Sequence, residues 1–381
     1  MTASLDTLHI INDLNVGGAE MMLYHFLSEH DPGGRHSKVL SLTTSGPVAD
    51  HLESLQVSAG ALEFNRRLPG PRDLVNLARK ARADNPGLVH GWMYHANLAA
   101  SYAAWFLPRR TPVIWSIHHS LVDIEHEKPL TQKVIRWSAR VSRKASAIVY
   151  CSQVSARQHE RLGFAPERTL VIPNGIDCDR FKPSEHGRRR LAERLGVPEN
   201  GVLIGMLARH HPMKDFPNLI RAFADLVRRN VADLHLLLVG RDVTSQNGAV
   251  EGAVRETGVG DRVTLSEERN DLPDLLSGLD ILAVSSAWGE AFPVIVGSAM
   301  ASGVPAVVTD LGDCSWIVGD TGRVVPPRNV EALAAGLAAL IHEGEGGRAR
   351  LGAAARQRVL DNFSLKSFVE RHRSLYNEVS G

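Results

Sequence analysis

Two cations, Arg209 and Lys214, stand close together in the segment LARHHPMKDF. They follow an apolar run, VLIGMLAR, and precede a helical pattern, NLIRAFADLVRR. An arginine can hold two phosphate oxygens, a lysine adds a point charge, and the first amides of a helix are free to donate hydrogen bonds. The segment predicts an anion site, although two solvated surface cations would give the same pattern.

A single acid, Glu290, follows a second apolar run, DILAVSS, in a short loop that contains Gly289. Pro293 is suited to the first turn of the helix predicted over PVIVGSAMASG, so the acid lies near unpaired amides. Either Glu290 caps that helix, or it accepts hydrogen bonds from the hydroxyls of a polar ligand. Further along the same helix stands Ser298, which is small and uncharged.

The first half of the chain has a glycine pair and several histidines at the ends of apolar runs. Gly17 and Gly18 follow TLHIIND, where they either let the backbone approach a ligand or make a tight turn. The histidines placed at strand ends are His90, His95, His118 and His119. Histidines there suit hydrogen bonding or acid–base chemistry. Because they form no HxxxH pattern and no Cys/His set, no metal site is predicted.

Short apolar runs alternate with helical patterns along the whole chain, which predicts parallel βαβ units. The strands predicted in the first half are TLHIIND, SKVLSLTT, LVHGWMY, PVIWSIHH, AIVYCS and TLVIPN. Those predicted in the second half are VLIGMLAR, LHLLLVG, RVTLSE, DILAVSS and VPAVVTD. Proline, glycine and charge cluster over 173–190, between the halves. We therefore predict two doubly wound α/β domains with ligands at the carboxyl ends of the strands, in a cleft between the domains.

Composition narrows the class of protein. The chain has 381 residues, 44% of them hydrophobic, and a net charge of +1, which suits two globular domains and gives no electrostatic preference for nucleic acid. Three cysteines without a CxxC pair indicate a reducing compartment. The start, MTASLDTLHIINDL, is a poor signal peptide, and ANLAASYAAWFLP is shorter than the ~20 residues of a spanning helix. A cytoplasmic protein without a membrane span is predicted.

One helical pattern, LTQKVIRWSARVSRK, has a basic stripe with Trp137 at its margin. The cations fall within an arc of ~100° on a helical wheel, and they are Lys133, Arg136, Arg140, Arg143 and Lys144. A basic stripe with an aromatic edge predicts peripheral contact with anionic lipid at the inner face of the membrane. An ordinary solvated helix face is the other interpretation.

Taken together, these segments resemble the retaining glycosyltransferases of family 4, which have the GT-B architecture. The resembling pieces cover most of the chain, and they are NVGGAE, CSQVSARQHERLGF, VIPNGID, ARHHPMKDF, GEAFPVIVGSAMASGVPAVVTD and GRVVPP. The resemblance implies Rossmann-like domains over 1–178 and 179–361, with a C-terminal helix in 362–381 that crosses back onto the first domain. It also implies that the second domain holds a nucleotide-sugar donor, UDP- or GDP-linked, and that the first domain mainly holds the acceptor.

The resemblance also implies roles for single residues. Arg209 and Lys214 match the family's diphosphate-binding pair, and Glu290 matches the first acid of its paired-glutamate motif. Residues 291–293 match the loop whose amides face the sugar and phosphate, and His118 matches a histidine near the reacting sugar. The implied catalytic residues are His118, Glu290, Arg209 and Lys214. The implied donor-binding residues are Gly17, Gly18, Arg209, Lys214, Glu267, Glu290, Ala291, Phe292, Pro293 and Ser298.

Ser298 departs from the family pattern, because a second glutamate that accepts from the ribose hydroxyls usually stands there. A hydrogen bond to a charged group contributes about 1.5–3 kcal/mol, so its loss would weaken donor binding by roughly one to two decades. Three interpretations stay open. Another group recognises the ribose, the donor binds weakly, or this copy is catalytically impaired.

The implied reaction moves a glycosyl group to an acceptor hydroxyl with retention at the anomeric carbon. Side-chain cations and helix amides would stabilise the leaving diphosphate, so neither a metal ion nor another cofactor is expected. The implied acceptor is a saccharide or a lipid-linked sugar in cell-surface polysaccharide synthesis. The alternatives are a nucleotide-sugar 2-epimerase on the same architecture and a non-catalytic nucleotide-sugar binder. A dehydrogenase is disfavoured because neither half has a GxGxxG fingerprint.

Overall fold

The structure, a computed structural model, describes residues 5–64, 69–108, 110–121 and 123–381. It divides into two compact units. Unit 1 is the described chain up to Gly175 together with Leu365–Gly381, and unit 2 is Ile176–Ser364. Each unit is built on one parallel sheet with helices, so the prediction of two doubly wound α/β folds is confirmed.

Unit 1 contains a seven-stranded sheet in the order β3-β2-β1-β4-β5-β6-β7, and every pair is parallel. The strands are β1 (Thr7–Ile11), β2 (Ser37–Ser41), β3 (Ser58–Ala61), β4 (Leu88–Trp92), β5 (Val113–Ile117), β6 (Ala147–Tyr150) and β7 (Thr169–Val171). The central strands are buried along their whole length, as expected for a parallel sheet that helices cover on both faces.

The helices of unit 1 pack on the two faces of this sheet. They are α1 (Gly18–His30), α2 (Pro47–Ser54), α3 (Pro71–Asp84), α4 (Tyr94–Trp105), α5 (Pro129–Val141), α6 (Gln153–Arg161) and, from the C-terminal end of the chain, α15 (Leu365–Ser380). One apolar core lies under α3, α4 and α5, and a second core lies under α1, α2 and α15. The last helix is therefore an integral part of unit 1.

Unit 2 contains a six-stranded parallel sheet in the order β10-β9-β8-β11-β12-β13. Its strands are β8 (Val202–Leu207), β9 (Leu234–Val239), β10 (Val263–Ser266), β11 (Ile281–Val284), β12 (Ala306–Thr309) and β13 (Arg323–Val325). Its helices are α7 (Gly187–Leu195), α8 (Phe216–Arg228), α9 (Gly248–Thr257), α10 (Leu272–Ser277), α11 (Val294–Ala301), α12 (Cys314–Val318), α13 (Val330–His342) and α14 (Gly344–Asn362). Helices α8, α9 and α13 bury one face of the sheet.

Both sheets have a point where the strand order reverses, and a doubly wound fold forms its ligand crevice there, at the carboxyl ends of the strands. In unit 1 the reversal lies between β1 and β4, and in unit 2 between β8 and β11. The loops after these four strands are therefore the first place to look for a site. None of the described helices is both long and apolar enough to cross a bilayer.

Helix α15 closes unit 1 over a buried cluster of rings, which we call the histidine cluster: His9, His90 and His372. His90 lies inside β4 with its Nδ1 2.6 Å from the hydroxyl of Tyr376 and its Nε2 2.7 Å from Oγ of Ser116. Trp92 donates its indole N–H to Nδ1 of His9 at 3.1 Å. All three histidines are almost inaccessible to solvent, so this end of the chain is fixed by aromatic packing and hydrogen bonds.

The sequence analysis predicted that His90 lies at the end of a strand, and this prediction was wrong. His90 pairs in register with His9 in the middle of β4, and neither side chain reaches the loop edge. Burial lowers the pKa of His90 well below its ordinary value, and the neighbouring histidines lower it further. His90 is therefore a neutral structural residue that hydrogen-bonds within the core.

Candidate functional site

The strand-order reversal of unit 2 brings together two of the residues singled out in the sequence. Lys214 ends the loop after β8, and Glu290 lies in the loop after β11. The Lys214 Nζ lies 2.5 Å from Oε1 of Glu290, and Oγ of Ser286 donates to the same oxygen at 2.6 Å. Glu290 is only 7% exposed, so these two donors replace the hydrogen bonds that water would give to this oxygen. Its Oε2 makes no hydrogen bond within the described part of the chain and remains available to a ligand.

Backbone and hydroxyl hydrogen bonds hold the two loops against each other. The amide of Ala287 donates to the carbonyl of Met213 at 2.7 Å, and Oγ of Ser285 donates to the carbonyl of Lys214 at 2.9 Å. The Thr309 hydroxyl donates to the carbonyl of Ser286 at 2.8 Å. Because the loop that carries Lys214 is bonded directly to the loop that carries Glu290, the geometry of the ion pair is built into the backbone.

The segment after Glu290 presents free amides at the start of α11. Ala291 and Phe292 donate no backbone hydrogen bond to any described residue, and Pro293 occupies the N-cap of the helix. The amide of Asp313 donates to the carbonyl of Ala291 at 2.8 Å, which orients this turn. At Gly312, with φ +57°, a Cβ would lie 2.4 Å from the carbonyl oxygen of Glu290, so only glycine fits beside the loop. Unpaired amides at a helix N-terminus suit an anionic ligand.

The remaining residues predicted in unit 2 are spread more widely. Arg209 is exposed in the β8 loop and has no hydrogen-bond or ion-pair partner among the described residues. Glu267 follows β10, and its Oε1 accepts from the amide of Asp242 at 3.0 Å, so in this structure it supports the neighbouring loop. Ser298 lies inside α11 at 2% exposure, and its carbonyl accepts from the Ser302 hydroxyl at 2.9 Å.

In unit 1 the loop after β5 holds His118 in one orientation. Its ring stacks on Trp92 with centroids 5.3 Å apart, and its Nδ1 lies 3.0 Å from Oδ1 of Asn174. Because the amide oxygen is an acceptor, Nδ1 carries the proton and Nε2 keeps its lone pair. Burial lowers the pKa of His118 to about 4, although the Asn174 hydrogen bond opposes this. At neutral pH the ring is therefore uncharged and can accept a hydrogen bond at Nε2.

Two supporting residues of His118 were not found in the sequence. Asn174 lies in PNGID, which was read as part of a boundary segment. Met93 follows β4 with φ +74°, an uncommon conformation for a residue with a side chain, and its sulfur accepts from the amide of His118 at 3.3 Å. A strained backbone next to a strand end was a feature that no sequence pattern indicated.

The glycine pair lies at the start of α1, after β1. Gly17 is the N-cap in an extended conformation, and Gly18 has open space where a Cβ would be. A Cβ at Gly17 would lie 2.2 Å from Oε2 of Glu20, whose carboxylate folds back over the helix N-terminus. Burial raises the pKa of Glu20. The sequence analysis overlooked Glu20, which places an acid beside the glycines.

The described residues contain no group of three or more His, Cys, Asp or Glu side chains that could hold a metal ion. In unit 2 the chemical groups gathered at the strand-order reversal are instead one ammonium, one carboxylate and a set of free amides. This arrangement can bind an anion and accept hydrogen bonds from hydroxyls.

Comparisons with known proteins show which family the chain belongs to. Residues 187–358 match the family of glycosyl transferases group 1, and residues 16–180 match glycosyltransferase family 4. An MMP alpha-(1->4)-mannosyltransferase of Mycolicibacterium hassiacum is 29% identical over 70% of this chain, and the match spans 65% of that protein. A D-inositol 3-phosphate glycosyltransferase of Xylanimonas cellulosilytica is 28% identical over 85% of this chain and 82% of its own length.

Solved structures show the same fold. The Anabaena protein HepE in complex with UDP has a TM-score of 0.85 at 21% identity, covering 98% of this chain and all of that one. A glycosyltransferase from Rickettsia africae has a TM-score of 0.83 at 20% identity, with 98% of each chain covered. The fold is thus that of the GT-B glycosyltransferases, as the sequence predicted. The two family matches adjoin across the chain, and it belongs to the family 4 glycosyltransferases, also described as glycosyl transferases group 1.

Proposed function

We propose that this chain transfers a glycosyl group from a nucleoside diphosphate sugar, UDP- or GDP-linked, to an acceptor hydroxyl with retention of configuration. The observation that carries the proposal is the contact between Lys214 and Glu290 at the strand-order reversal of unit 2. In this proposal the cation binds the diphosphate and the adjacent carboxylate binds the sugar. HepE was solved with UDP and with UDP-glucose, which supports a nucleotide-sugar donor.

The leaving diphosphate gains negative charge as the glycosidic bond breaks. In this proposal Lys214, Arg209 and the amides of Ala291 and Phe292 stabilise that charge. Arg209 is exposed without a partner among the described residues, so no internal ion pair has to break when it turns to a phosphate. The oxygen of the departing phosphate takes the proton of the acceptor hydroxyl, so the reaction needs no separate base.

Glu290 positions the transferred sugar. Oε1 is already bonded to Lys214 and Ser286, and Oε2 is available to accept from a sugar hydroxyl. In unit 1 the neutral His118 accepts from a hydroxyl at Nε2, a role that positions a sugar and does not protonate it. Gly17 and Gly18 would let a phosphate approach the start of α1, provided that the Glu20 carboxylate moves or is protonated.

A metal ion is not required in this proposal, since the side-chain cations and amides offset the diphosphate charge. We expect transfer with EDTA present to proceed at the rate measured without it, within about a factor of two. The assay compares initial rates with EDTA, with added Mg²⁺ and with added Mn²⁺. A loss of activity in EDTA that Mg²⁺ or Mn²⁺ restores would contradict this part of the proposal.

The acceptor that we propose is a saccharide or a lipid-linked sugar used in cell-surface polysaccharide synthesis, with the chain working on the cytoplasmic side and in peripheral contact with the membrane. One relative, at 30% identity over 63% of this chain, is a GDP-mannose-dependent phosphatidylinositol monomannoside mannosyltransferase of Mycolicibacterium smegmatis. The UDP-Gal:alpha-D-GlcNAc-diphosphoundecaprenol alpha-1,3-galactosyltransferase of Escherichia coli, at 20% identity, also has a lipid-linked acceptor in its name. These names support the acceptor class only by similarity.

A second candidate function follows from Ser298. A serine in place of the usual acid would suit a chain that binds a nucleotide sugar without turning it over. Calorimetric titration with UDP, GDP and ADP identifies the base, and an assay for sugar transfer or donor hydrolysis tests turnover. Micromolar binding without turnover would favour the non-catalytic binder, and release of an altered nucleotide sugar without an acceptor would favour a 2-epimerase. No binding to any of the three nucleotides would contradict the proposed function.

Ser298 also gives a prediction about ribose recognition. We expect the parent to bind UDP and 2′,3′-dideoxy-UDP with affinities within about threefold, because a serine supplies no charged acceptor. The Ser298→Glu variant should prefer UDP by tenfold or more, since a carboxylate accepts from both ribose hydroxyls. Ser298→Gln is the matched control for size without charge. A parent that already discriminates tenfold would mean that another group recognises the ribose.

A further inference from the structure

Three aromatic side chains lie exposed at the end of α4 and along α5 in unit 1. Trp105 is 81% exposed, Trp137 55% and Phe106 44%. Side chains of this size are normally buried, and full exposure of an indole leaves a large apolar area in contact with water. Such exposure in a cluster indicates a surface that is covered in use.

These aromatic residues belong to one continuous surface. Helix α4 packs against α5, and Nζ of Lys144, just beyond the end of α5, lies 5.9 Å from the ring centroid of Trp105. Trp137 lies on the face of α5 opposite its buried residues, Ile135 and Ala139. The exposed face of α5 therefore leads from Trp137 towards Lys144 and so to Trp105.

The same surface is strongly basic. Arg143 pairs with Glu167 at 3.5 Å, whereas the other exposed cations make no ion pair within the described part of the chain. These other cations are Lys133, Arg136, Arg140 and Lys144. The chain as a whole has a net charge of only +1, so this concentration is local and is compensated elsewhere. An anionic partner is the one that complements it.

We propose that the aromatic–basic surface, formed by Trp105, Phe106, Lys133, Arg136, Trp137, Arg140 and Lys144, docks on an anionic lipid bilayer. The proposal deepens the membrane contact proposed above, and it rests on that proposed function. The cations meet lipid phosphates while the indole and phenyl rings enter the interface, where amphipathic aromatic rings are favoured. Exposed indoles flanked by lysine and arginine favour a bilayer over an acidic protein, whose surface offers no hydrocarbon layer for the rings.

The position of the surface has a consequence for the loops of unit 1. In βαβ units a helix runs antiparallel to the strands, so α4 and α5 end near the amino ends of the strands. Trp105, Phe106 and Lys144 thus lie at the edge opposite the loops that follow β1, β4 and β5. Docking through this surface leaves the His118 loop uncovered by lipid.

The test is flotation of the full chain with vesicles of phosphatidylcholine, either alone or with about 30% phosphatidylglycerol. We expect binding to the anionic vesicles only. The Arg136→Glu/Arg140→Glu variant should bind at least about 25-fold more weakly, because two cations are lost and two acids are added. Trp105→Ser/Phe106→Ser should bind about tenfold more weakly. In a chain in which Trp105 is the remaining exposed indole, anionic vesicles should protect this ring from an aqueous quencher.

The control variants carry the same kinds of substitution at exposed positions outside the aromatic–basic surface. Arg228→Glu/Arg229→Glu reverses two exposed charges at the end of α8, and Leu360→Ser removes an exposed apolar side chain from α14. Both should bind vesicles like the parent. Parent-like binding to anionic vesicles by the aromatic variant or by Arg136→Glu/Arg140→Glu would overturn the proposal. Failure of all chains to bind anionic vesicles would also overturn it and would favour an acidic protein partner. Titration with UDP or GDP checks the proposed function separately, because no substituted residue lies at that site.

Discussion

Replacing Glu290 with glutamine should affect nucleotide binding and sugar transfer in opposite directions. We expect the affinity for the free nucleoside diphosphate to rise roughly several-fold and kcat for transfer to fall about 100-fold. In the free protein Lys214 is bonded to Oε1 of Glu290 at 2.5 Å, so a bound diphosphate must share this cation with the carboxylate. Glutamine removes that competing charge and frees Lys214 for the phosphates. With its oxygen held by Ser286, glutamine turns an NH2 donor towards the sugar hydroxyl in place of the charged acceptor Oε2, and transfer suffers.

The reciprocal variant, Lys214→Met, should act in the opposite direction on binding. It leaves Glu290 buried beside Ser286 without its cation, and we expect nucleoside diphosphate affinity to fall by about one to two decades. Calorimetry with UDP and GDP, together with initial rates, gives both quantities. Lys182→Met, an exposed lysine of the same unit, is the matched control. If both Glu290→Gln and Lys214→Met weaken nucleotide binding, the two side chains hold the loops together and do not compete for a ligand.

Acid should destabilise unit 1 through the histidine cluster, His9, His90 and His372. Burial holds their pKa values well below the ordinary value, to about 3 for His372. The unfolded chain therefore binds protons near pH 6.5 that the folded chain does not, and stability is lost as pH falls through that value. Between pH 7.5 and 5.5 each group lowers the free energy of unfolding by about 1 kcal/mol, so the three together lower it by roughly 3–4 kcal/mol.

The neighbours of the cluster do not offset this loss. The charges that act on its three members come from other histidines, including His30 and His118, and a second positive charge there is disfavoured. Urea unfolding at several pH values, followed by the fluorescence of the buried Trp92, measures the slope. His372→Phe removes one titrating ring from an aromatic setting and should reduce the loss of stability between pH 7.5 and 5.5 by the share of one group, about 1 kcal/mol, while other buried histidines of unit 1, such as His118, keep theirs. His126→Gln, at an exposed position, should keep the parent's slope; an unchanged slope in His372→Phe would contradict the assignment.

Long periodic segments could be predicted from the sequence because each carries its own signal. The apolar runs of β1, β8 and β11 and the helical patterns of α5 and α8 correspond to elements of the structure. The elements that were missed are short or lack that signal. They are β3, β13, α2, α7 and α12. β3 is only SAGA, and α7 begins inside the charged segment that was read as a boundary.

The sequence predicted which residues belong to the candidate site, but it did not predict which of them contact each other. Lys214 and Glu290 were each recognised at a strand end, yet their contact depends on β8 and β11 being neighbours, and strand order leaves no local mark in the sequence. Asn174 reaches His118 across a long stretch of chain in the same way. His90 was misplaced because its partner, Tyr376, belongs to the last helix of the chain.

The return of α15 to unit 1 has a consequence for the order in which this protein is made. The ribosome releases β1, α1 and β4 first, with Phe26 and Trp92 exposed on one face of the new sheet. The helix that covers them is synthesised only after residues 176–364, which take about 10–40 s to translate. During that interval the nascent chain displays an aromatic groove that fits its own C-terminal segment. We therefore expect chaperone capture or premature pairing between nascent chains to involve this groove until α15 has been made and covers it.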